Sequence, residues 1–168
     1  MTALALKFDH FNNPIDIAEM VMLERDLSFD RSGDGDLLAE TAGMWGAHRI
    51  WFSWAEDTSM LSLSCSLDNK VSAQMLPRVC ELLAYANERL WLGHFCLDSE
   101  SHTVTFRHTL LVNVEGGHMP SQESIDHLID LATGEWDRFY PALQAVVWGG
   151  KLPKEALEVA MFETVAEA

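Results

Sequence analysis

Two residues with chemically active side chains, His94 and Cys96, stand two positions apart in a segment of strand-like sequence. Side chains at this spacing lie on the same face of a strand, so an imidazole and a thiol would be neighbours. Such a pair suits a metal ion, or a nucleophile with its base, if further ligands converge on it. The sequence identifies no such ligands. A packed histidine and a buried thiol are the simpler interpretation, and a small enzyme or metal site stays open as the alternative.

The acidic segment 30–36, which reads DRSGDGD, matches the opening of a calcium-binding loop. Oxygen ligands alternate at Asp30, Ser32 and Asp34, and the next residue is a glycine that permits a sharp turn. The twelfth position counted from Asp30 is Thr41, where such a loop needs glutamate. Aspartate and glycine also favour ordinary turns. The segment ending at Asp36 is therefore interpreted as a turn, with an ion-binding sensor as the alternative.

Three further side chains are candidates for contact with a partner protein. Trp51 lies on the less apolar face of a predicted strand, and Trp91 lies where a predicted helix meets a strand. Aromatic and Met-rich surfaces serve adaptable protein binding, and the chain has six Trp and eight Met, most of them expected in the core. Arg107 can pair with an acidic side chain of its own chain or hold a partner's carboxylate. We therefore predict Trp51, Trp91 and Arg107 as partner contacts and no catalytic residues.

The charge of the chain restricts its partners. Its 168 residues include 26 Asp and Glu against 11 Lys and Arg, a formal net charge of -15. Such a surface repels the phosphates of nucleic acids and the anionic headgroups of membranes. We therefore expect a protein partner, no nucleic acid and no membrane. A simple contribution of the charge to solubility is the plainer interpretation.

Length and cysteine content predict a single domain in the cytoplasm. A chain of 168 residues is long enough to bury one core without disulfides. Cys65, Cys80 and Cys96 are odd in number and lack CxxC spacing, so reduced thiols are expected. The first eight residues do not resemble a signal peptide, and no apolar run reaches membrane-spanning length. No nucleotide-binding glycine loop follows a predicted strand, and we expect no cofactor.

The first half of the chain predicts one helix followed by three strands. Asn12, Asn13 and Pro14 begin a helix that ends near Arg25, since an Asx cap followed by proline favours a helical start. Strands are predicted over 37–42 and 47–54, joined by a short glycine-containing connection. Between 61 and 67, leucine and cysteine alternate strictly with serine, which is typical of a strand with one buried face.

The second half predicts a helix, a hairpin and two more helices. Apolar residues recur at helical spacing over 75–90, and strands follow over 91–97 and 103–112. A long helix begins at Ser121, and Pro141 should kink or divide it. An appended C-terminal helix falls within 151–168. The order α-β-β-β-α-β-β-α plus this helix favours an α+β fold, in which a three-strand antiparallel meander and a hairpin form one sheet with helices on one face.

Several sequence motifs, in this order, resemble the YbjN family over residues 14–150. The motifs are DGD at 34–36, WG at 45–46, ANERLW at 86–91, LGHF at 92–95, VTFRH at 104–108 and FYPAL at 139–143. The resemblance implies a relative of the type III secretion chaperone fold, which commonly pairs into homodimers. It also implies a non-enzymatic, chaperone-like or regulatory adaptor in a bacterial cytoplasm, and this is the function we expect.

Overall fold

The computed structural model describes residues 13–33, 35–114 and 116–166, with side chains through residue 160. Six strands and four helices make up its regular structure, together with two single turns of 3-10 helix. In chain order they are α1 (Pro14–Glu24), β1 (Phe29–Ser32), β2 (Asp36–Ala42), β3 (Ala47–Ala55), β4 (Met60–Ser66), α2 (Leu76–Asn87), β5 (His94–Leu97), β6 (Val104–Leu111), α3 (Gln122–Val147) and α4 (Pro153–Ala166).

All six strands join one antiparallel sheet in the order β1-β2-β3-β4-β6-β5. The first four strands form a meander, since each pairs with the next along the chain. Strand β6 then pairs with β4, which leaves β1 and β5 as the two edges of the sheet. The predicted antiparallel α+β architecture is confirmed.

The core lies on one side of the sheet, beneath the helices. Alternate strand residues such as Leu37, Ile50, Leu63 and Phe106 are fully buried there, because the period-two pleat sends every second side chain to this face. The long helix α3 crosses this layer, and its Trp136 is completely buried. The prediction that the helices cover one face of the sheet is therefore confirmed.

Local signals explain where the first helix begins and how it is held. The side chain of Asn13 accepts a hydrogen bond of 2.9 Å from the backbone N–H of Ile15, and Pro14 occupies the first turn. Asn12, which we also named as a cap, lies outside the described residues. At the other end Arg25 donates to the carboxylate of Asp126 at 2.6 Å, which fixes α1 against α3.

The predicted turn over 30–36 is partly wrong, because β1 occupies Phe29–Ser32 and pairs with β2. Its Arg31 forms ion pairs with Asp16, at 2.7 Å, and with Glu19, both on α1. These contacts and the ladder to β2 offset the weak strand propensity of aspartate and serine. The element order therefore has four strands, not three, between α1 and α2.

Two other boundaries differ from the prediction. The fifth strand begins at His94 rather than at residue 91, because Gly93 adopts a φ of +70° that interrupts extended backbone. Helix α3 continues through Pro141 as one element, so this proline does not divide it. No described helix is long and apolar enough to cross a membrane.

Candidate functional site

The sheet face opposite the helices carries an unusual mixture of exposed side chains. Leu38 on β2 and Trp51 on β3 are 47% and 50% exposed, although both are large and apolar. Beside them, β4 presents Ser62, Ser64 and Ser66, which are small and hydroxylated, with Met60 at the start of the strand. The next strand, β6, presents the exposed Arg107. The side chains at the centre of this face, on β4, are therefore shorter than those on the flanking strands β3 and β6.

The strand register places Trp51, Ser64 and Arg107 in one row across the sheet, with Ser64 in the middle. Neighbouring strands are about 4.8 Å apart, so the two outer residues are about 10 Å apart at their Cα atoms. Ser62, Ser64 and Ser66 form the floor between them. We call this feature the serine groove, with Trp51 as one wall and Arg107 as the other.

Both walls of the serine groove have a defined chemistry. The indole N–H of Trp51 donates to Oδ1 of Asp36 at 3.1 Å, which holds the ring across β2 while half of it stays exposed. No carboxylate of the described residues lies within ion-pair distance of Arg107. Its guanidinium interacts with the Cys96 side chain, and its remaining donors form a planar fork that matches a carboxylate.

His94 and Cys96 lie on the same open face, on edge strand β5, as their spacing predicted. His94 stands beside Arg107 in the register, and Cys96 stands beside Thr105. Burial raises the pKa of the Cys96 thiol more than the nearby guanidinium of Arg107 lowers it. A thiol with a raised pKa is a poor nucleophile, because the thiolate is the reactive form.

Trp91 lies away from the serine groove, at the mouth of a pocket of about 540 Å³. The pocket opens between the end of α2, the start of β5, and helices α3 and α4. Trp91 is 99% exposed and Leu92 is 54% exposed. We call this feature the Trp91 pocket; the apolar residues behind its mouth are Ala86, Leu90, Phe95, Leu131, Phe139 and Leu157.

Three charged side chains complete the Trp91 pocket. Arg89 and Arg138 contribute guanidinium groups, and Glu135 contributes one carboxylate. Arg138 donates to Glu135 one helical turn away, and Arg89 donates to the backbone carbonyl of Tyr85 at 3.1 Å. Burial raises the pKa of Glu135, and Arg138 opposes this effect. The mouth therefore has a local excess of positive charge in a strongly acidic chain.

A buried cysteine and a buried histidine lie together with a partly exposed aspartate, and the sequence did not predict this cluster. Nε2 of His48 lies 3.0 Å from Oδ1 of Asp137, and its Nδ1 lies 3.9 Å from Sγ of Cys65. A carboxylate only accepts hydrogen bonds, so His48 donates through Nε2. Burial, with a smaller contribution from Asp137, raises the pKa of the Cys65 thiol to about 12. His48 and Cys65 are both completely buried, which makes the cluster a structural contact rather than a catalytic one.

The same aspartate connects helix α3 to the β2-β3 turn. Its Oδ1 also accepts from the backbone N–H of Met44 at 3.3 Å, and its carbonyl accepts from the indole of Trp45 at 2.9 Å. A Cβ on Gly43 would lie 2.0 Å from Nε2 of His48, so glycine is required for this close approach. His48, Cys65 and Asp137 lie far apart along the chain, which explains why no spacing motif predicted the cluster.

Part of the proposed calcium loop lies outside the described residues. Asp30 and Ser32 belong to β1 and Asp36 begins β2, so the segment connects two paired strands. Asp34 is among the residues not described. Within the described ranges, no group of three or more His, Cys, Asp or Glu side chains could hold a metal ion. Ion binding by this segment stays a prediction.

Comparison with known proteins identifies the family. A family model named YbjN, described as "Putative bacterial sensory transduction regulator", matches residues 14–145. The chain belongs to the YbjN family. The predicted family is thus confirmed, and the match includes every strand of the sheet and the serine groove. No protein in the curated set matches this YbjN-family chain.

Two solved structures are similar to this YbjN-family chain. One is the crystal structure of YbjN from E. coli, described as "a putative transcription regulator", with 9% identity and a TM-score of 0.56 over 80% of this chain and 93% of that one. This similarity shows a common fold. The other is the crystal structure of the ExsC-ExsE complex, with 14% identity and a TM-score of 0.41 over 75% of this chain and 95% of that one.

Proposed function

We propose that this YbjN-family chain is a non-enzymatic regulatory adaptor of the bacterial cytoplasm that binds a protein segment in the serine groove. The observation that carries the proposal is the open sheet face, where Leu38 and Trp51 are half exposed beside a floor of three serines. Exposed large apolar side chains rimmed by polar groups mark interaction surfaces. The three free cysteines agree with a reducing compartment.

The chemistry of the serine groove fits a peptide segment with one apolar and one acidic anchor. Trp51 supplies apolar area at low entropy cost, because its ring is already held by Asp36. The floor hydroxyls can donate to or accept from a partner backbone; Ser62 already exchanges a hydrogen bond of 3.1 Å with Thr109. Arg107 has donors for a carboxylate. Trp and Arg are the side chains most enriched among residues that dominate binding energy.

The state of the cysteines supports a role without catalysis. The Cys65 thiol is buried and has a pKa of about 12, so it is protonated and sealed from substrate. Cys96 lies on the open face beside Thr105, and neither it nor His94 is among the residues that line the Trp91 pocket. An enzyme would need these groups to converge in a concave site.

A homodimer forms part of the proposal, because the sheet ends in two edge strands, β1 and β5, of four residues each. Edge strands present unpaired backbone groups that can pair with a second copy. Light scattering at micromolar concentration should give twice the mass of the chain. A monomer across that range would remove the dimer and leave the serine groove to be tested separately.

Affinity capture from native cells, with chemical crosslinking, tests the serine groove. Three variants are compared with the wild type: Trp51→Ala, Arg107→Ala and the control Trp148→Ala, whose side chain is 65% exposed and does not line the groove. A protein held in the groove should lose at least about tenfold in recovery with Trp51→Ala, as expected for a dominant contact. The same captured protein should be recovered in full with the control Trp148→Ala. Equal recovery by all four proteins would contradict the proposed surface.

A further inference from the structure

The Trp91 pocket has the dimensions of a small-molecule site. Its volume of about 540 Å³ lies within the range of about 300–1,000 Å³ that is usual for ligand pockets. Its inner wall is aromatic and rigid: Phe95 stacks on Phe139 with ring centroids 4.2 Å apart, and both rings meet the buried Trp136 edge-on. A preformed apolar wall binds an apolar group without first having to be ordered.

Trp91 and its neighbour form an exposed apolar rim at this pocket. Gly93 fixes their position, because it turns the chain with φ of +70° and a Cβ there would lie 2.3 Å from Phe106. The backbone therefore holds Trp91 at the mouth, where it is 99% exposed and adds no buried area that would stabilise the free chain. A bound apolar group would cover this ring.

The charge at the mouth defines the polar end of the ligand. The chain has a net charge of -15, yet the Trp91 pocket has two guanidinium groups and one carboxylate. Arg89 uses one donor on a backbone carbonyl, and Arg138 uses one on Glu135. A guanidinium has five N–H donors, so four on each side chain have no partner among the described contacts. Charge complementarity therefore favours an anion with two oxygens over a cation or an uncharged group.

We propose that the Trp91 pocket binds a small amphipathic carboxylate, with its apolar chain against Phe95, Phe139 and Leu157 and its carboxylate on Arg89 and Arg138. This site lies on the helical side of the sheet and goes beyond the proposed function. Its ligand is a small molecule, whereas the serine groove takes a protein segment.

Calorimetric titration of the full chain with decanoate tests the site, with decan-1-ol as the neutral probe of equal chain length. Decanoate should bind at least tenfold more tightly than decan-1-ol. The double variant Arg89→Met/Arg138→Met, which keeps the apolar stems, should abolish this difference and leave decan-1-ol binding unchanged. Trp91→Ala should weaken both probes, whereas Trp148→Ala should weaken neither. A thermal melt of each variant confirms that it is folded.

Three outcomes would overturn the proposal: no decanoate binding up to millimolar concentration, equal binding of the two probes, or decanoate binding that the double arginine variant leaves intact. Loss of self-association in Trp91→Ala, without decanoate binding to the wild type, would instead assign the pocket to a second copy of the chain. Capture through Trp51 and Arg107 is measured independently, so failure at one surface leaves the result at the other intact.

Discussion

Replacing Asp137 by alanine should destabilise the protein by removing the hydrogen-bond acceptor of the buried His48. The His48 side chain is completely buried and the Asp137 side chain is only 25% exposed, so water has limited access to the donor Nε2 after the substitution. An unsatisfied buried polar group costs about 1–3 kcal/mol. The second hydrogen bond lost, from the backbone of Met44, is exposed to solvent and adds little. The third contact, from Trp45, goes to the backbone carbonyl and survives. We therefore expect a loss of about 2 kcal/mol in the free energy of unfolding.

Urea denaturation followed by circular dichroism measures this loss, and thermal unfolding should show a decrease of about 4–8 °C in Tm for a chain of this length. Asp137→Asn retains an acceptor and should lose about half as much, since a neutral hydrogen bond contributes less than a charged one. Asp130→Ala is the control on the same helix. Its side chain is 61% exposed and pairs with Arg25, so it should lose less than about 1 kcal/mol. A change below about 0.5 kcal/mol for Asp137→Ala would refute the structural role of the cluster.

Three further predictions concern glycines, acid stability and thiol reactivity. Gly43→Ala should lower the free energy of unfolding by about 1–3 kcal/mol, because the new methyl group meets the buried imidazole of His48. Gly134→Ala, which has open space around it in helix α3, should raise the free energy of unfolding by about 0.5–1 kcal/mol. Urea titration of both variants measures these changes. Burial, assisted by the nearby His94, lowers the pKa of His108, so the unfolded chain binds a proton that the folded chain does not, and stability falls as the pH drops below about 6.5. His108→Gln should flatten this decline in thermal melts between about pH 7 and 5, and an unchanged slope would exclude His108 as its cause. Iodoacetamide should label the exposed Cys80 of the folded chain and leave Cys65 unmodified until denaturant is added, as peptide mass spectrometry would show.

Most of the fold could be predicted because its signals are local. The alternation of leucine with serine before residue 67 predicts one buried and one open face, and the structure has β4 in that arrangement. Strand β1 has no such signal. Its sequence is rich in turn-forming residues, and it becomes a strand through non-local contacts, above all the ion pairs of Arg31 with α1.

The candidate site was only partly predictable for the same reason. Trp51 and Arg107 could each be assigned to a strand face, but their common row across Ser64 depends on the pairing of β4 with β6. That pairing spans the whole of α2 and β5, and no sequence motif specifies it. The Trp91 pocket likewise forms only when four elements assemble. The sequence therefore indicated Trp91 at its rim but not the residues that line its interior.

Helix α4 begins at Pro153, beyond residues 14–145 that match the family model, yet Ala156, Leu157 and Ala160 are buried and the helix packs on α2 and α3. The segment beyond the match therefore closes a cavity whose other walls belong to the matched domain. A substitution at Leu157 changes the space inside the Trp91 pocket without altering a strand or the serine groove. The shape of the proposed ligand site can thus be changed from α4 alone while the sheet stays the same.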